Sequence, residues 1–547
     1  MFERSSRKVY STSSSSESGS AVTFGTDLNR DPVYLSGKIR HSTTFAEAML
    51  ALGEVVKIQR PAPKDHSEYQ AWVEQEYVKI LNQRMPGLLA KQKDLTKEIE
   101  SLRAKRDGLN KKLQSLFDSR VFVGAKNRFF QWLFEHDRQS WIILDPIVSV
   151  QKDGTFFEAF SGDESIYARV FLPHASLETK EKPSMGTTNI DFSLLLEREF
   201  ERVRTYRPMD LTVGLKSVDF KTEAAVVEEE KIPLPETWVR GLVEVQSVLA
   251  LAPVTFEISA DGLAEIISRL QGEREKTGPR SLKFLLKPGE PVRIEIEPWG
   301  DVFADDWFKY EGPNSVEIRI WGRRRLFVLK NILVHADKVR VHFLGSGMPS
   351  FWTVVKDDIE LTIGLSGWTS NDWASKAKFS SFIPVANVDQ ARVDESLKLL
   401  TEKGVLSTSE LSELTGMSIS DTSAVLQKLC LQGKAMFDPS RGVYRWRDLF
   451  PTFDLYKDDD SSRESRAGLE LMQSKAVSKT MDEVKGEIRY LSASVKDKKG
   501  SFSPLMELDK DNRPKYAQCN CPFYNYHKLR QGPCRHMIAL SLAGDAQ

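Results

Sequence analysis

The spacing of hydrophobic positions changes several times along the chain, and the changes divide it into segments. Residues 1–30 carry no apolar period, and the run STSSSSESGS predicts a disordered Ser-rich tail. Residues 31–66 form a mixed segment: VYLSGKI reads as a short strand, and TTFAEAMLALGEVVKI has apolar residues at helical spacing behind Thr44 as a cap. QRPAPKDH is a loop. Residues 67–118 predict a helical arm, starting with SEYQAWVEQEYVKILNQRM and broken at Pro86-Gly87. Beyond the break, leucines recur every seven residues at Leu88, Leu95, Leu102, Leu109 and Leu116. Ile99 and Leu113 supply the d-to-a step, while Gln92 and Arg106 are polar a residues that set pairing at a cost in stability. A helical hairpin within one chain and a coiled coil between two chains explain this pattern equally. The second would make a homodimer through residues 88–116.

From 119 to 385 the period becomes two. GTFFEAF, VRIEIEPW, SVEIRIWG, RRLFVLKNILV, KVRVHFLG and DIELTIGLSGW alternate or run β-branched, which predicts strands. KIPLPETWVRGLVEVQSVLAL, with Pro235 at its first turn, and ADGLAEIISRLQG, opening at Asp261 and closing at Gly272, predict helices. The expected body is α+β and β-rich. Residues 386–450 return to helical spacing. VDESLKLLTEKG is followed by STSELSELTG, which has Ser407 and Glu410 in capping-box positions and Gly416 as its stop. MSISDTSAVLQKLCLQGK is the third helix, and AMFDPSRGVYRWR reads as a hairpin with its tip at Asp438 to Gly442. Helix, helix–turn–helix and hairpin is the order of a winged helix. Residues 451–465 are a charged linker. Residues 466–547 begin with a helix, SRAGLELMQSKAVSKTM, and continue with strands around GEIRYLSASV and FSPLMEL.

That last segment carries the clearest chemistry. Three of the chain's four cysteines fall within CNCPFYNYHKLRQGPCRH, as C-x-C, twelve residues, then C-x-H. Cys519, Cys521, Cys534 and His536 make a Cys3His set, the donor chemistry of tetrahedral zinc. Four protein ligands leave no open position for water, so the expected role is a structural staple for a small domain. His527 lies in the loop between the pairs at a less apt spacing.

CNC…GPCRH, after two strands and before an apolar helix, closely resembles the SWIM zinc finger, a CxCx(n)CxH module. The resemblance implies a small ββα finger with structural zinc, binding DNA or proteins. GTTNIDFS, RIWGRRRL, LGSGMPSFW and GLSGWTSNDW are similar to bacterial SWIM-domain proteins. That likeness implies a genome neighbourhood of AAA-type ATPases and von Willebrand A-domain proteins, and partners of those kinds.

Charge then bears on function. Lys plus Arg equals Asp plus Glu at 77 each, so nucleic-acid binding must come from local patches. Around the cysteines Lys515, Lys528, Arg530 and Arg535 form one such cluster, with His527. In the winged helix the third helix would present Ser418, Ser420, Asp421, Thr422, Gln427 and Lys428, a cation-poor set, and the wing adds Arg441, Arg445 and Arg447. GRRRL at Arg323 to Arg325 reads as a solvated edge, and GSGMPS as a tight turn, since it lacks the Gly-Lys-Ser/Thr of a phosphate loop. No hydrolase, zincin or kinase motif is present, so no catalytic residue and no enzyme is expected. The absence of a secretory h-region and the scarcity of cysteine predict a cytoplasmic protein. The favoured expectation is a zinc-binding adaptor or scaffold that joins proteins through its finger and winged helix. The alternative is a DNA-binding protein using both modules together.

Overall fold

The computed structural model describes residues 33–58, 146–367, 388–449 and 463–544, apart from scattered loop positions, with 21–22, 372–373 and 379. One compact unit takes in residues 1–58 and 144–547, and 59–143 form a second. The Ser-rich tail apart from residues 21–22, the helical arm 67–118 with its leucine heptads, and Arg530 lie outside the described residues. Among those described, no helix is long and apolar enough to cross a membrane.

The chain is a mixed α+β, multi-sheet protein. Its largest sheet has eight antiparallel strands: β1 (Ile147–Val150), β2 (Gly154–Phe160), β3 (Ile166–Pro173), β4 (Gly186–Asn189), β5 (Val254–Ile258), β6 (Lys338–Phe343), β7 (Ser350–Lys356) and β8 (Ile359–Leu365). Their order is β5-β6-β7-β8-β3-β2-β1-β4. Every residue of β2 and β8 is buried, which means both faces are covered. Alternation along β2 shows by what. Phe157 points to the helix Ser42–Lys57, meeting Phe45 edge-on at 5.5 Å. Phe160, on the opposite face, meets Trp238 at 5.4 Å on the helix Glu236–Leu249, here α1. Phe45, Met49, Leu52 and Val55 of the helix Ser42–Lys57 are all fully buried in the body's core.

Two smaller sheets flank this one. Strands Leu35–Ile39, Leu177–Thr179, Asp210–Val213, Ser217–Lys221 and Val226–Glu230 make a five-stranded sheet. Strands Leu282–Leu286, Pro291–Ile296, Asp301–Lys309 and Val316–Ile320 make a four-stranded one, joined to the large sheet by Phe284 against Phe343 at 4.7 Å. The predicted strand RRLFVLKNILV is instead a 3-10 turn, Arg323–Leu329, followed by further turns. Arg323 is the reason. It is buried and donates to the carbonyls of Ser281, at 2.8 Å, and Glu297, which pulls the chain out of the ladder.

Next come α2 (Gln390–Lys403), β9 (Val405–Leu406), α3 (Thr408–Thr415), α4 (Ile419–Leu431), β10 (Ala435–Asp438) and β11 (Val443–Trp446). The sheet order is β9-β11-β10. Ser407 and Glu410 form the expected reciprocal capping box, and Gly416 closes α3 in the left-handed conformation.

The C-terminal module has α5 (Arg463–Gln473), β12 (Val477–Lys485), β13 (Ile488–Asp497), β14 (Gly500–Phe502), β15 (Leu505–Leu508), β16 (Pro514–Gln518), α6 (Pro522–His527) and α7 (Arg535–Gly544). It is larger than the expected ββα unit. Five strands form one sheet, and VSKTM, read as the tail of a helix, begins its edge strand β12, VSKTMDEVK. Helices α5 and α7 pack so closely that a Cβ at Gly468 would meet Ile538 Cβ at 2.8 Å. Glycine is required there.

Candidate metal centre

Each ligand of the Cys3His set sits where secondary structure stops. Cys519 follows the last residue of β16. Cys521 caps α6: Pro522 opens that helix, and the Tyr524 N–H donates to Cys521 Sγ at 3.4 Å. Gly532, at φ +83°, turns the chain so that Cys534 precedes α7 and His536 lies in its first turn. All four residues are buried, and their ligand atoms lie within 4.8 Å of one another. His536 Nδ1 is 3.8 Å from Cys519 Sγ and 3.9 Å from Cys534 Sγ. Ordinary Zn–S and Zn–N lengths give a tetrahedron with edges of about 3.6–3.8 Å, so the set fits zinc.

The surroundings fix the imidazole. His536 Nε2 is 3.4 Å from Asp497 Oδ2, at the end of β13, and the ring stacks on Phe502 at 4.4 Å. A carboxylate on the far nitrogen leaves Nδ1 as the ligating atom. The thiols share protons: hydrogen bonds from Cys519 and Cys534 hold Cys521 far below the usual thiol range. The bond to Cys521 pushes Cys519 up to about 11, and bonds to Cys519 and Cys521 push Cys534 higher still. A divalent cation removes that conflict by binding all three as thiolates. His527 takes no part, because its ring packs between Phe523 and Tyr526.

The cations read as a contact surface separate into two kinds. Lys515 and Lys528 are exposed, and Lys528 lies over the Tyr524 ring at 5.0 Å. Arg535 is committed elsewhere: its Nη2 and Nε reach the two Glu464 carboxylate oxygens at 2.6 and 3.0 Å, tying α7 to α5. Its own backbone N–H also donates to Glu464 at 3.0 Å. The sequence reading missed the exposed Tyr516 and Tyr526, 46% and 76% accessible, beside those lysines.

The segment read as a winged helix differs most from expectation. Arg445 and Arg447 have no exposed side chain and lie in a buried ion-pair network against the large sheet. Arg447 Nη1 donates to Glu158 Oε2 at 2.6 Å, while Tyr167 OH donates to the other oxygen at 2.6 Å. Arg445 pairs with Asp438 at 3.0 and 3.1 Å and with Asp153. Arg169 of β3 reaches Asp438 at 3.5 Å, and Arg441 reaches Glu360 of β8 at 3.1 Å and Asp438 at 3.4 Å. Burial alone would raise the Asp438 carboxyl, but Arg169, Arg445 and Arg441 outweigh it and hold it low. The recognition-helix position is likewise occupied. On α4, Thr422 and Gln427 are buried, Leu431 packs with Val243 and Ala250, and Gln246 of α1 accepts from the Phe437 N–H at 2.7 Å. Arg445 and Arg447 thus offer nothing to a ligand, because the body already uses them.

Comparison with known proteins agrees with the metal centre. The SWIM zinc finger family model matches residues 508–545, so the chain contains a SWIM zinc finger domain, and its Cys3His group marks a bound zinc. No curated protein matches the chain. Among solved structures, the Proliferating Cellular Nuclear Antigen of Entamoeba histolytica is similar at 11% identity, covering 44% of this chain and 93% of that one, with TM-score 0.31. A putative DNA polymerase III beta subunit from Eubacterium rectale is similar at 10% identity, covering 42% and 58%, with TM-score 0.31. Likeness at this level carries no functional inference.

Proposed function

We propose that the protein is a cytoplasmic, non-enzymatic adaptor whose zinc-stapled C-terminal module binds a protein partner while the body serves as its scaffold. The observation that carries this reading is the buried wing. A winged helix that reads DNA must expose its third helix and wing. Here α4 lies on α1, and Arg445 and Arg447 are spent on Asp438, Asp153 and Glu158. The module's exposed Tyr516 and Tyr526, flanked by Lys515 and Lys528, are the kind of aromatic and cationic side chains that anchor protein interfaces. An AAA-type ATPase or a von Willebrand A-domain protein is the class of partner we put forward. The test is capture by the full-length protein, with nuclease present. A partner of either class should be retained by wild type and lost from Tyr516→Ala/Tyr526→Ala at unchanged zinc content. Its retention by that variant, or its loss on nuclease treatment, would defeat the reading.

One observation favours nucleic-acid binding by the module alone as a second reading. Residues 463–544 hold 15 Lys and Arg against 9 Asp and Glu, a difference of six within a chain whose total is zero. With the wing occupied, such binding would rest on phosphate contacts from lysines and would be weakly sequence-selective.

A further inference from the structure

The GRRRL run, read from the sequence as a solvated edge, is one wall of a cavity of about 470 Å³. Among the described residues, five arginines line it, Arg274, Arg280, Arg323, Arg324 and Arg325, together with one carboxylate, Glu275. Helix Ala260–Gly272 ends just before Arg274, and the 3-10 turn Arg323–Leu329 supplies the other side. Arg323 is only 2% accessible and lies over the Trp299 ring at 5.3 Å. Its Nη1 is taken by the carbonyls of Ser281 and Glu297, whereas Nε and Nη2 make no hydrogen bond. Glu275 is shared three ways: Arg324 Nη2 at 2.8 Å, Arg323 Nη2 at 3.6 Å and Arg280 Nε at 3.7 Å.

We propose that this cavity is a binding site for an oligophosphate, a small ligand with two or three linked phosphates. Guanidinium groups match phosphate oxygens in charge and in fork geometry, and one carboxylate among five of them leaves a large cationic surplus. The volume falls within the range of small-ligand sites, about 300–1,000 Å³. Burial presses the Arg323 and Arg325 guanidiniums below their ordinary range, a penalty that a bound anion relieves. Burial raises Glu275, yet Arg324 and Arg323 hold its carboxyl down at about 2, which shows how strongly this wall favours negative charge. A nucleic-acid duplex carries its phosphates on a convex surface and does not reach a side chain as recessed as Arg323.

The test is calorimetric titration of the full-length zinc-loaded protein with pyrophosphate, tripolyphosphate and ATP at constant ionic strength near about 150 mM. Pyrophosphate and tripolyphosphate should bind saturably with Kd below about 1 mM. Arg280 is 61% accessible, so Arg280→Ala should leave the melting temperature unchanged and weaken binding by about 10-fold or more, the loss of one charge-assisted contact. Arg274→Ala should do the same, while Lys515→Ala/Lys528→Ala should have no effect. ATP binding more tightly than tripolyphosphate would identify a nucleotide as the source of the phosphates, and equal affinity a bare oligophosphate. The proposal is overturned if no oligophosphate binds saturably up to about 10 mM, or if both arginine variants bind as wild type does. It is equally overturned if a mixed-sequence duplex, and no oligophosphate, binds in a manner dependent on Arg274 and Arg280.

Discussion

Replacing Arg447 by Met tests whether the α2–β11 segment is locked to the body. Arg447 follows β11, its partner Glu158 lies on β2 of the large sheet 289 residues earlier, and neither side chain is exposed. Removing the guanidinium leaves a buried carboxylate held only by the Tyr167 hydroxyl, and stranding one member of a buried pair costs about 3–5 kcal/mol. Glu158→Gln strands the cation instead and should cost a comparable amount. The double variant removes both charges, keeps an acceptor for Tyr167, and should fall short of the summed single effects by about 2–3 kcal/mol. Urea unfolding of the full-length protein gives the four corners of the cycle, and hydrogen exchange across residues 390–446 shows which element loosens first. The Arg447→Met protein should lose protection in α4, β10 and β11 before the large sheet opens. If Arg447→Met costs less than about 1 kcal/mol, as an exposed ion pair would, the seam is not buried. The wing would then be free to bind a ligand.

Chelating the metal, or Cys534→Ser, should unfold the module from about residue 477 onward while the body and residues 390–446 keep their protection, read by hydrogen exchange alongside a zinc stoichiometry of about one. Asp497→Ala should keep the fold but weaken zinc about 10–100-fold in a competition titration, because the imidazole loses the carboxylate that orients it. His342 is buried between β5 and β7, with Thr255 OH at 2.9 Å from Nδ1, and burial lowers its pKa from 6.5 to about 4. Between those values the unfolded chain binds the extra proton, so stability should be full above pH 6.5 and fall by about 3 kcal/mol as pH drops to about 4. His342→Gln should flatten that part of the profile, and identical profiles would remove His342 as the cause.

What could be read in the sequence was local. Four ligands within 18 residues, a capping box four residues long and the order of helices and hairpin over residues 390–446 all depend on near neighbours. What could not be read depends on partners far along the chain. Nothing near Arg445 or Arg447 announces Asp153 and Glu158, so an arginine-rich wing looks the same whether it meets DNA or its own body. The edge strand β12 was missed because VSKTMDEVK has few apolar residues, and pairing with β13 rather than burial makes it a strand. The reverse holds for RRLFVLK, whose strand-like alternation yields to the two carbonyls that hold Arg323. Arg535 looks like part of a cationic cluster in the sequence, but Glu464, 71 residues earlier, holds it.

The adaptor reading is tested most directly by titrating the full-length zinc-loaded protein against a mixed-sequence duplex over a range of salt. With the wing spent on the body, it predicts no saturable binding near about 150 mM salt. Tight binding there would contradict it, especially with a log–log slope near about −3 to −4, the signature of three to five neutralised phosphates. If Lys515→Ala/Lys528→Ala/Arg530→Ala then flattened that slope without loss of zinc, the module would be a nucleic-acid binder.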